Sequence, residues 1–136
     1  IGEVNRKGRD NSLTGVGSDR PDLLGNPNLS SDRPRPELLQ RYFDTSMFVH
    51  NQPGRYGNAG RNILTGPGTI AFDLSMGKHF AITESKKIEF RWDAFNAFNR
   101  PQFNAPGANL NAPSTFGRIT GAGAGRIMQG ALRFEF

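Results

Sequence analysis

The chain has 136 residues, with 17 Lys and Arg against 12 Asp and Glu, 17 Gly, 9 Pro and no Cys. This length accommodates at most one modest domain. The mean hydropathy of −0.56 argues against a generous soluble core. The lack of cysteine excludes disulfide frameworks and thiol catalysis, and the lack of any run of about 18 apolar residues excludes a transmembrane helix.

The net charge of +5 and the sequence pI of about 10.2 are also typical of nucleic-acid-binding modules, whose clustered cations release counterions from phosphates. Outside the basic stretch 6–9 the Lys and Arg residues are mostly scattered singly, so we expect no nucleic-acid partner. The first ten residues lack the apolar segment of a signal peptide. Because the chain starts at Ile1 rather than Met, we expect it to be a piece of a longer protein.

Residues 1–68 have the composition of an extracellular-type loop region. Up to about Gln40 the chain is rich in Gly, Pro, Asn, Ser, Asp and Arg, and its prolines interrupt regular elements. Residues 41–50 carry enough aromatic and β-branched side chains to predict one short strand. Turn-forming residues dominate again up to residue 68.

From residue 69 onward, polar and apolar residues alternate with the period of two that is typical of β-strands. Segments 69–82, 87–98 and 126–136 follow this pattern, and a polar turn of four residues joins the first two as a hairpin. Segment 99–125, with its prolines and glycines, is predicted to be a long loop. The predicted fold class is therefore all-β, with antiparallel strands and long loops.

The alternation divides the strand residues between two faces. The apolar face holds Ile70, Phe72, Leu74, Met76, Ile88, Phe90, Trp92 and Met128. The polar face holds Asp73, Glu89, Arg91, Asp93, Arg133 and Glu135. A soluble β-sandwich would give the same pattern, because one of its faces packs on the core and the other meets water.

The length of the strands favours a membrane wall over a soluble sandwich. The predicted strands have roughly eleven to fourteen residues, against about five or six in globular proteins and about nine to eleven for a strand that crosses a bilayer. We therefore predict strands from the C-terminal end of a transmembrane outer-membrane β-barrel, with the apolar face toward lipid and the polar face toward the lumen. About three or four strands make an incomplete barrel, since the smallest barrels have eight.

The lengths of the connections predict an orientation. Outer-membrane barrels have short periplasmic turns and long extracellular loops, which places the turn after residue 82 in the periplasm and loop 99–125 outside. Lys78 and Asn96 interrupt the apolar face near strand ends, where a charged residue costs about 0 to 1 kcal/mol instead of about 2 to 4 kcal/mol at the midplane. Phe80 and Phe98 would either join aromatic girdles at the two interfaces or pack in an ordinary core.

Several motifs together resemble the C-terminal end of TonB-dependent, Oar-like outer-membrane receptors of the acidobacterial, carboxypeptidase-regulatory-like type. They are Asn58-Ala59-Gly60-Arg61-Asn62, Gly66-Pro67-Gly68, Phe95-Asn96-Ala97-Phe98-Asn99, Phe116-Gly117-Arg118-Ile119 and the closing strand. The resemblance implies transport or surface binding of a solute that these residues do not identify. It also implies that the partners include outer-membrane lipid and, through an N-terminal part absent from this chain, the TonB complex.

The closing strand resembles the C-terminal insertion signal of outer-membrane proteins, which ends in Phe and is read by the barrel-assembly machinery. Leu132, Phe134 and Phe136 correspond to that signal. Gly130 departs from the usual pattern by one position, because it lies six residues rather than five before the final aromatic residue. Pairing with the edge of this strand would be a form of β-augmentation.

We expect neither enzymatic activity nor a cofactor. The two histidines, His50 and His79, are far apart in sequence and form no metal-binding pattern, and no G-x-S-x-G elbow surrounds a serine. The glycine-rich stretch 121–125 is more typical of a flexible loop end than of a phosphate-binding loop. The charged residues of the polar face would pair across strands or contact a plug or solute. The alternative function is that of a soluble secreted β-domain, an adhesin or glycan-binding module.

Overall fold

The computed structural model describes residues 3–136, so Ile1 and Gly2, the start of the predicted loop region 1–68, lie outside the described residues. Its elements follow in the order β1 (Arg6–Lys7), β2 (Ser18–Asp19), β3 (Asp22–Leu23), α1 (Arg35–Gln40), a 3-10 helix (Thr45–Met47), β4 (Phe48–Val49), β5 (Leu74–Ala81), β6 (Lys87–Phe95) and β7 (Ile127–Glu135). The sheets are antiparallel and unclosed, which confirms the all-β class and the incomplete barrel. No helix among these residues has the length and apolar character needed to cross a membrane.

The chain divides into two units. Unit 2 comprises residues 68–102 and 122–136 and contains the three-stranded sheet β5-β6-β7. Its register pairs Leu74 with Ala94 at one end of the hairpin and Ala81 with Lys87 at the other. The final strand pairs along the whole of β6, from Phe95 opposite Ile127 to Lys87 opposite Glu135. The order of strands along this sheet therefore equals their order in the sequence.

The strands of unit 2 lie inside the predicted segments but are shorter than predicted. The strand predicted at 69–82 begins only at Leu74. Before that residue the backbone forms other hydrogen bonds: the carbonyl of Phe72 accepts from the N–H of Ala97, and the N–H and carbonyl of Ile70 bond to the side chain of Gln102. The strand predicted at 87–98 ends at Phe95, because Asn96 takes a φ of 51° that turns the chain away from the ladder. The last strand spans Ile127–Glu135 instead of 126–136.

Unit 1 comprises the described residues 3–67 together with 103–121, and it has a hydrophobic core of its own. The rings of Phe43, Phe48 and Phe116 meet edge to face, with centroids 5.3 to 5.8 Å apart. This geometry is favourable because the positive edge of one ring meets the negative face of the next. Val4, Ala59 and Leu64 complete the buried cluster.

Within the predicted loop region 1–68 the structure has a short helix that the sequence pattern does not predict. Helix α1 forms although its segment contains Pro34 and Pro36, which are residues that usually interrupt regular structure. These prolines occupy the N-cap and the first turn, where the missing N–H removes no intrahelical hydrogen bond. The strand predicted at 41–50 is reduced to Phe48–Val49, because Asp44 caps a 3-10 helix by accepting from the backbone N–H of Ser46 at 3.1 Å.

Loop 99–125 is also more ordered in its packing than its composition indicated. Its section 103–121 belongs to unit 1, where Phe116 and Ile119 are buried. The N–H of Tyr42 donates to the carbonyl of Gly117 at 2.7 Å, and the N–H of Ile119 donates to the carbonyl of Leu39 at 2.9 Å. These contacts between distant segments give the loop a structural role that its glycines and prolines do not reveal.

Candidate functional site

The sheet of unit 2 presents one apolar face. Since residues directly opposite each other in an antiparallel pair point to the same side, the register places Met76 beside Trp92, and Phe90 beside Leu132. The other residues of this face are Leu74, Phe80, Ile88, Ala94, Met128, Gly130 and Phe134. Six of the eight residues predicted to face lipid are among them, and the remaining two, Ile70 and Phe72, precede β5.

This apolar face is open. The exposed fractions of Met76, Met128 and Leu132 are 57%, 56% and 72%. Large contiguous apolar surfaces of this kind mark a site that contacts another molecule or a membrane. The face is therefore the candidate surface for contact with lipid.

Lys78 is the one charged residue on the apolar face, opposite Phe90. Its ammonium lies 5.4 Å from the ring centroid of Phe80, which is two residues closer to the turn. The aliphatic stem of a lysine can lie along apolar surface while its charge reaches toward the polar boundary, and the ring adds a cation–π contact. In β5 (Leu74–Ala81), however, Lys78 is the fifth of eight residues, so it lies near the middle of the strand and not at the strand end, where the sequence pattern placed it.

The opposite face of the sheet carries a hydrogen-bonded network centred on Asp93. Its carboxylate accepts from Arg91 at 3.0 Å, from Gln129 at 3.1 Å and from the hydroxyl of Ser75. The side chain of Asp93 is 7% exposed, so these donors replace most of its water. The network connects all three strands, because Ser75 lies on β5 and Gln129 on β7 directly opposite Asp93.

A second charged group on this face surrounds Glu89. Its carboxylate lies 3.9 Å from His79 and 4.0 Å from Arg133. Arg133 also pairs with Glu135 at 3.1 Å. The side chain of Arg133 is 70% exposed, so each of its two ion pairs contributes about 1 kcal/mol or less.

The structure brings five of the six predicted polar-face residues into these two groups. Asp73 lies elsewhere, just before β5, where its carboxylate accepts from the N–H of Asn96 at 2.8 Å. The predicted set omitted Ser75 and Gln129, both of which bind Asp93. The period-two alternation places both on the polar face, but only the register brings them opposite Asp93.

The final strand β7 ends in an aromatic pair. The rings of Phe134 and Phe136 stack with centroids 5.8 Å apart and an interplanar angle of 28°. Phe134 shares the apolar face with Leu132, whereas Phe136 follows the strand and is 91% exposed. Within the described residues, β7 has a hydrogen-bonded neighbour on one side only, which is β6.

Unit 1 contains a buried polar cluster that the sequence did not suggest. Asp19 is 2% exposed, and its carboxylate accepts from the N–H and the hydroxyl of Ser12, at 2.8 and 2.7 Å. Asn51 donates to Asp19 at 3.3 Å and accepts from Arg6 at 2.8 Å. Burial acts to raise the pKa of Asp19, but the donors, with Asn11 among them, outweigh it and hold the pKa below its usual value.

His50 lines two clefts of unit 1. One cleft, of about 520 Å³, also has Arg55, Tyr56 and Asn58 in its wall. The other, of about 550 Å³, includes Lys7 and Arg9 and no carboxylate among its lining residues. The side chain of His50 is exposed, but partial loss of water around its ring, together with the charges of Arg6 and Arg9, lowers its pKa. Among residues 3–136, no group of three or more His, Asp and Glu side chains is arranged to hold a metal ion.

Comparison with known protein families gives one match. The family model described as an outer membrane beta barrel domain matches residues 3–129. No curated protein and no solved structure shows significant similarity to the chain. The match covers the described part of unit 1 and unit 2 up to residue 129, within β7.

Proposed function

Because the chain belongs to the outer membrane β-barrel domain family and its place is therefore the outer membrane, we propose that it forms part of the barrel wall of a TonB-dependent, Oar-like receptor. In this role β5, β6 and β7 are wall strands with Met76, Trp92 and Met128 toward lipid. The polar network of Asp93 lines the lumen. The chain itself carries out no enzymatic reaction.

The observation that supports this proposal most strongly is the separation of the two faces of one continuous sheet. Strands of eight and nine residues approach the roughly nine to eleven that a tilted strand needs to cross a bilayer. An outer-membrane barrel wall requires apolar side chains outside and tolerates charged side chains in the lumen. The outer-membrane family disfavours the soluble secreted β-domain, for which a half-apolar sheet would need a covered face.

Trp92, the single tryptophan of the chain, provides a direct test of the lipid-facing assignment. The full chain is inserted into phosphatidylcholine vesicles with or without bromine on the acyl chains. We expect brominated chains to quench the fluorescence of Trp92 strongly and aqueous iodide to quench it weakly. Strong quenching by iodide with none by brominated lipid would contradict the wall assignment.

The receptor assignment is tested separately, by reading the gene upstream of the codon for Ile1. A plug domain and a TonB box, followed by many further strands that alternate in polarity, are expected. A signal peptide immediately upstream of Ile1 would overturn the receptor proposal. The partner TonB complex and the unknown solute can then be sought with the whole protein.

We also propose that Leu132, Phe134 and Phe136 form the signal read by the barrel-assembly machinery. The unpaired side of β7 offers backbone groups for strand addition, and the stacked rings of Phe134 and Phe136 mark its end. Deletion of Phe136 should reduce insertion of the parent protein into the outer membrane, as measured by its share in the membrane fraction. Glu135→Ala, which changes an exposed side chain and keeps the final aromatic residue, serves as the control, and equal insertion of both variants would refute the signal.

A further inference from the structure

A groove in unit 2 combines apolar walls with a cationic border. Ile70, Phe72 and Phe98 line it, and Arg100 closes one side, around a volume of about 370 Å³. The rings of Phe72 and Phe98 lie 5.3 Å apart and are 51% and 69% exposed. The groove lies at the loop end of the sheet, because Phe98 and Arg100 directly follow β6.

The backbone of Arg100 is held in place by Asn96, which also lines the groove. The amide oxygen of Asn96 accepts from the N–H of Arg100 at 3.0 Å, and its amide nitrogen donates to the carbonyl of Arg100 at 2.9 Å. Asn96 is only 9% exposed and has a φ of 51°. A buried amide that bonds both backbone groups of one residue restricts where that residue can lie, so the base of the Arg100 side chain is pre-organised.

The positive charge beside the groove is not neutralised within the chain. Arg100 and Arg126 are both exposed, and among residues 3–136 neither guanidinium forms an ion pair with a carboxylate. Arg126 is held next to Asn99, the residue before Arg100, because the backbone N–H of Arg126 donates to the side-chain oxygen of Asn99 at 3.0 Å. An unpaired guanidinium next to an apolar groove matches a molecule that has an anionic group attached to a hydrocarbon chain.

We propose that this groove binds an anionic, phosphate-bearing lipid of the membrane. Its phosphate contacts Arg100, with Arg126 as a second cation, and one acyl chain lies along Ile70, Phe72 and Phe98. Guanidinium groups recognise phosphate through paired N–H donors. The inference rests on the proposed barrel wall, because that assignment places the groove at the boundary between lipid headgroups and acyl chains.

A soluble anion fits the groove less well than a lipid. Apart from Asn96 and Arg100, the residues that line it are apolar, and a free phosphate would bring no surface to cover them. Burying apolar area contributes about 25 cal/mol per Å², so an acyl chain supplies binding free energy that a small hydrophilic anion lacks. The chemistry therefore favours a lipid as the occupant.

The test places the only tryptophan in the groove. The full chain with Trp92→Phe and Phe98→Trp is inserted into phosphatidylcholine vesicles that contain one fifth brominated lipid, either phosphatidylglycerol or phosphatidylcholine. At equal content of brominated lipid, we expect brominated phosphatidylglycerol to occupy the groove about five-fold more often, the effect of about one basic side chain near the surface. Occupancy is measured from the quenching of indole fluorescence.

Matched variants assign the preference to Arg100. Adding Arg100→Gln should remove most of the five-fold preference and leave only the contribution of Arg126, whereas Arg100→Lys should keep most of it. The control Arg118→Gln removes the same charge from unit 1 and should leave the preference intact. If the two brominated lipids quench equally with Arg100 present, or if Arg100→Gln keeps the preference, the lipid site is refuted.

Failure of the lipid-site proposal can be distinguished from failure of the wall assignment. If brominated phosphatidylcholine quenches native Trp92 but the indole at position 98 shows no preference for the anionic lipid, the wall stands and the lipid site falls. If native Trp92 is not quenched by either lipid, the wall assignment itself is wrong. Addition of free inorganic phosphate should not displace the anionic lipid, and displacement would identify a soluble-anion site instead.

Discussion

Asp19 shows how a single residue organises a loop-rich unit. Four hydrogen-bond donors from Asn11, Ser12 and Asn51 converge on its carboxylate. These donors come from segments up to 32 positions apart, so the carboxylate joins chain sections that share no strand ladder. A buried charge is tolerated only where hydrogen bonds replace its water, and this requirement is met here by loops.

We expect Asp19→Ala to destabilise unit 1 by roughly 2 to 4 kcal/mol, because it leaves buried N–H and amide groups without their acceptor. The measurement is hydrogen exchange of the Tyr42 amide, which donates within unit 1. The exposed Asp32 provides the matched control, and Asp32→Ala should change exchange by less than about 0.5 kcal/mol. Equal effects of the two substitutions would show that the Asp19 cluster contributes nothing.

His50 makes the stability of unit 1 depend on pH. Its pKa in the folded protein is lowered from 6.5, so below pH 6.5 the unfolded chain binds a proton more readily than the folded chain. The free energy of unfolding of unit 1 is therefore highest, as far as His50 is concerned, above pH 6.5, and it decreases as the pH falls below that value. We expect exchange of the Leu24 amide to accelerate as the pH falls below 6.5, after correction for intrinsic rates, and His50→Gln to remove this acceleration. An unchanged pH profile in His50→Gln would contradict the assignment.

At the scale of elements, the register of β5, β6 and β7 decides which side chains share a surface. Alternation identified the two faces, but only the strand pairing shows that Met76 lies directly opposite Trp92 and that Gln129 lies directly opposite Asp93. The ends of the strands followed different rules. Asn96 terminates β6 through its positive φ and its bonds to Arg100, an interaction that periodicity does not encode.

The two faces should respond differently to a new positive charge. Met76→Arg places a second positive charge on the apolar face of β5, two residues from Lys78, and should cost about 2 to 4 kcal/mol of stability in a bilayer. His79→Arg places the same group on the polar face, where Glu89 lies 3.9 Å from the present side chain, and should cost less than about 0.5 kcal/mol. Urea unfolding of the full chain in phosphatidylcholine vesicles measures both. A reversed order would mean that the faces have been assigned the wrong way round.

At the scale of the whole molecule, the chain combines a unit that has its own core with a sheet whose two edge strands have no outer neighbour among residues 3–136. Unit 1 buries Phe43, Phe48 and Phe116. In unit 2, among the described residues, β5 and β7 each have a single neighbour, and the apolar face is open. Exposed edges and apolar faces template association with other strands in water.

The isolated chain should therefore self-associate in aqueous buffer and become monodisperse in detergent micelles, because detergent covers the apolar face. Sedimentation velocity with and without detergent distinguishes the two states. A monodisperse monomer in plain buffer would revive the soluble β-domain as an account of this chain.

The sequence by itself determined the strand region and the division of its residues between two faces, because a period of two is a local property of extended chain. It did not determine the core of unit 1, where Phe116 packs on Phe43 across more than 70 positions. Nor did it reveal the clusters around Asp19 or Asn96. Such contacts depend on where loops without periodicity meet in space, and only the tertiary structure decides that.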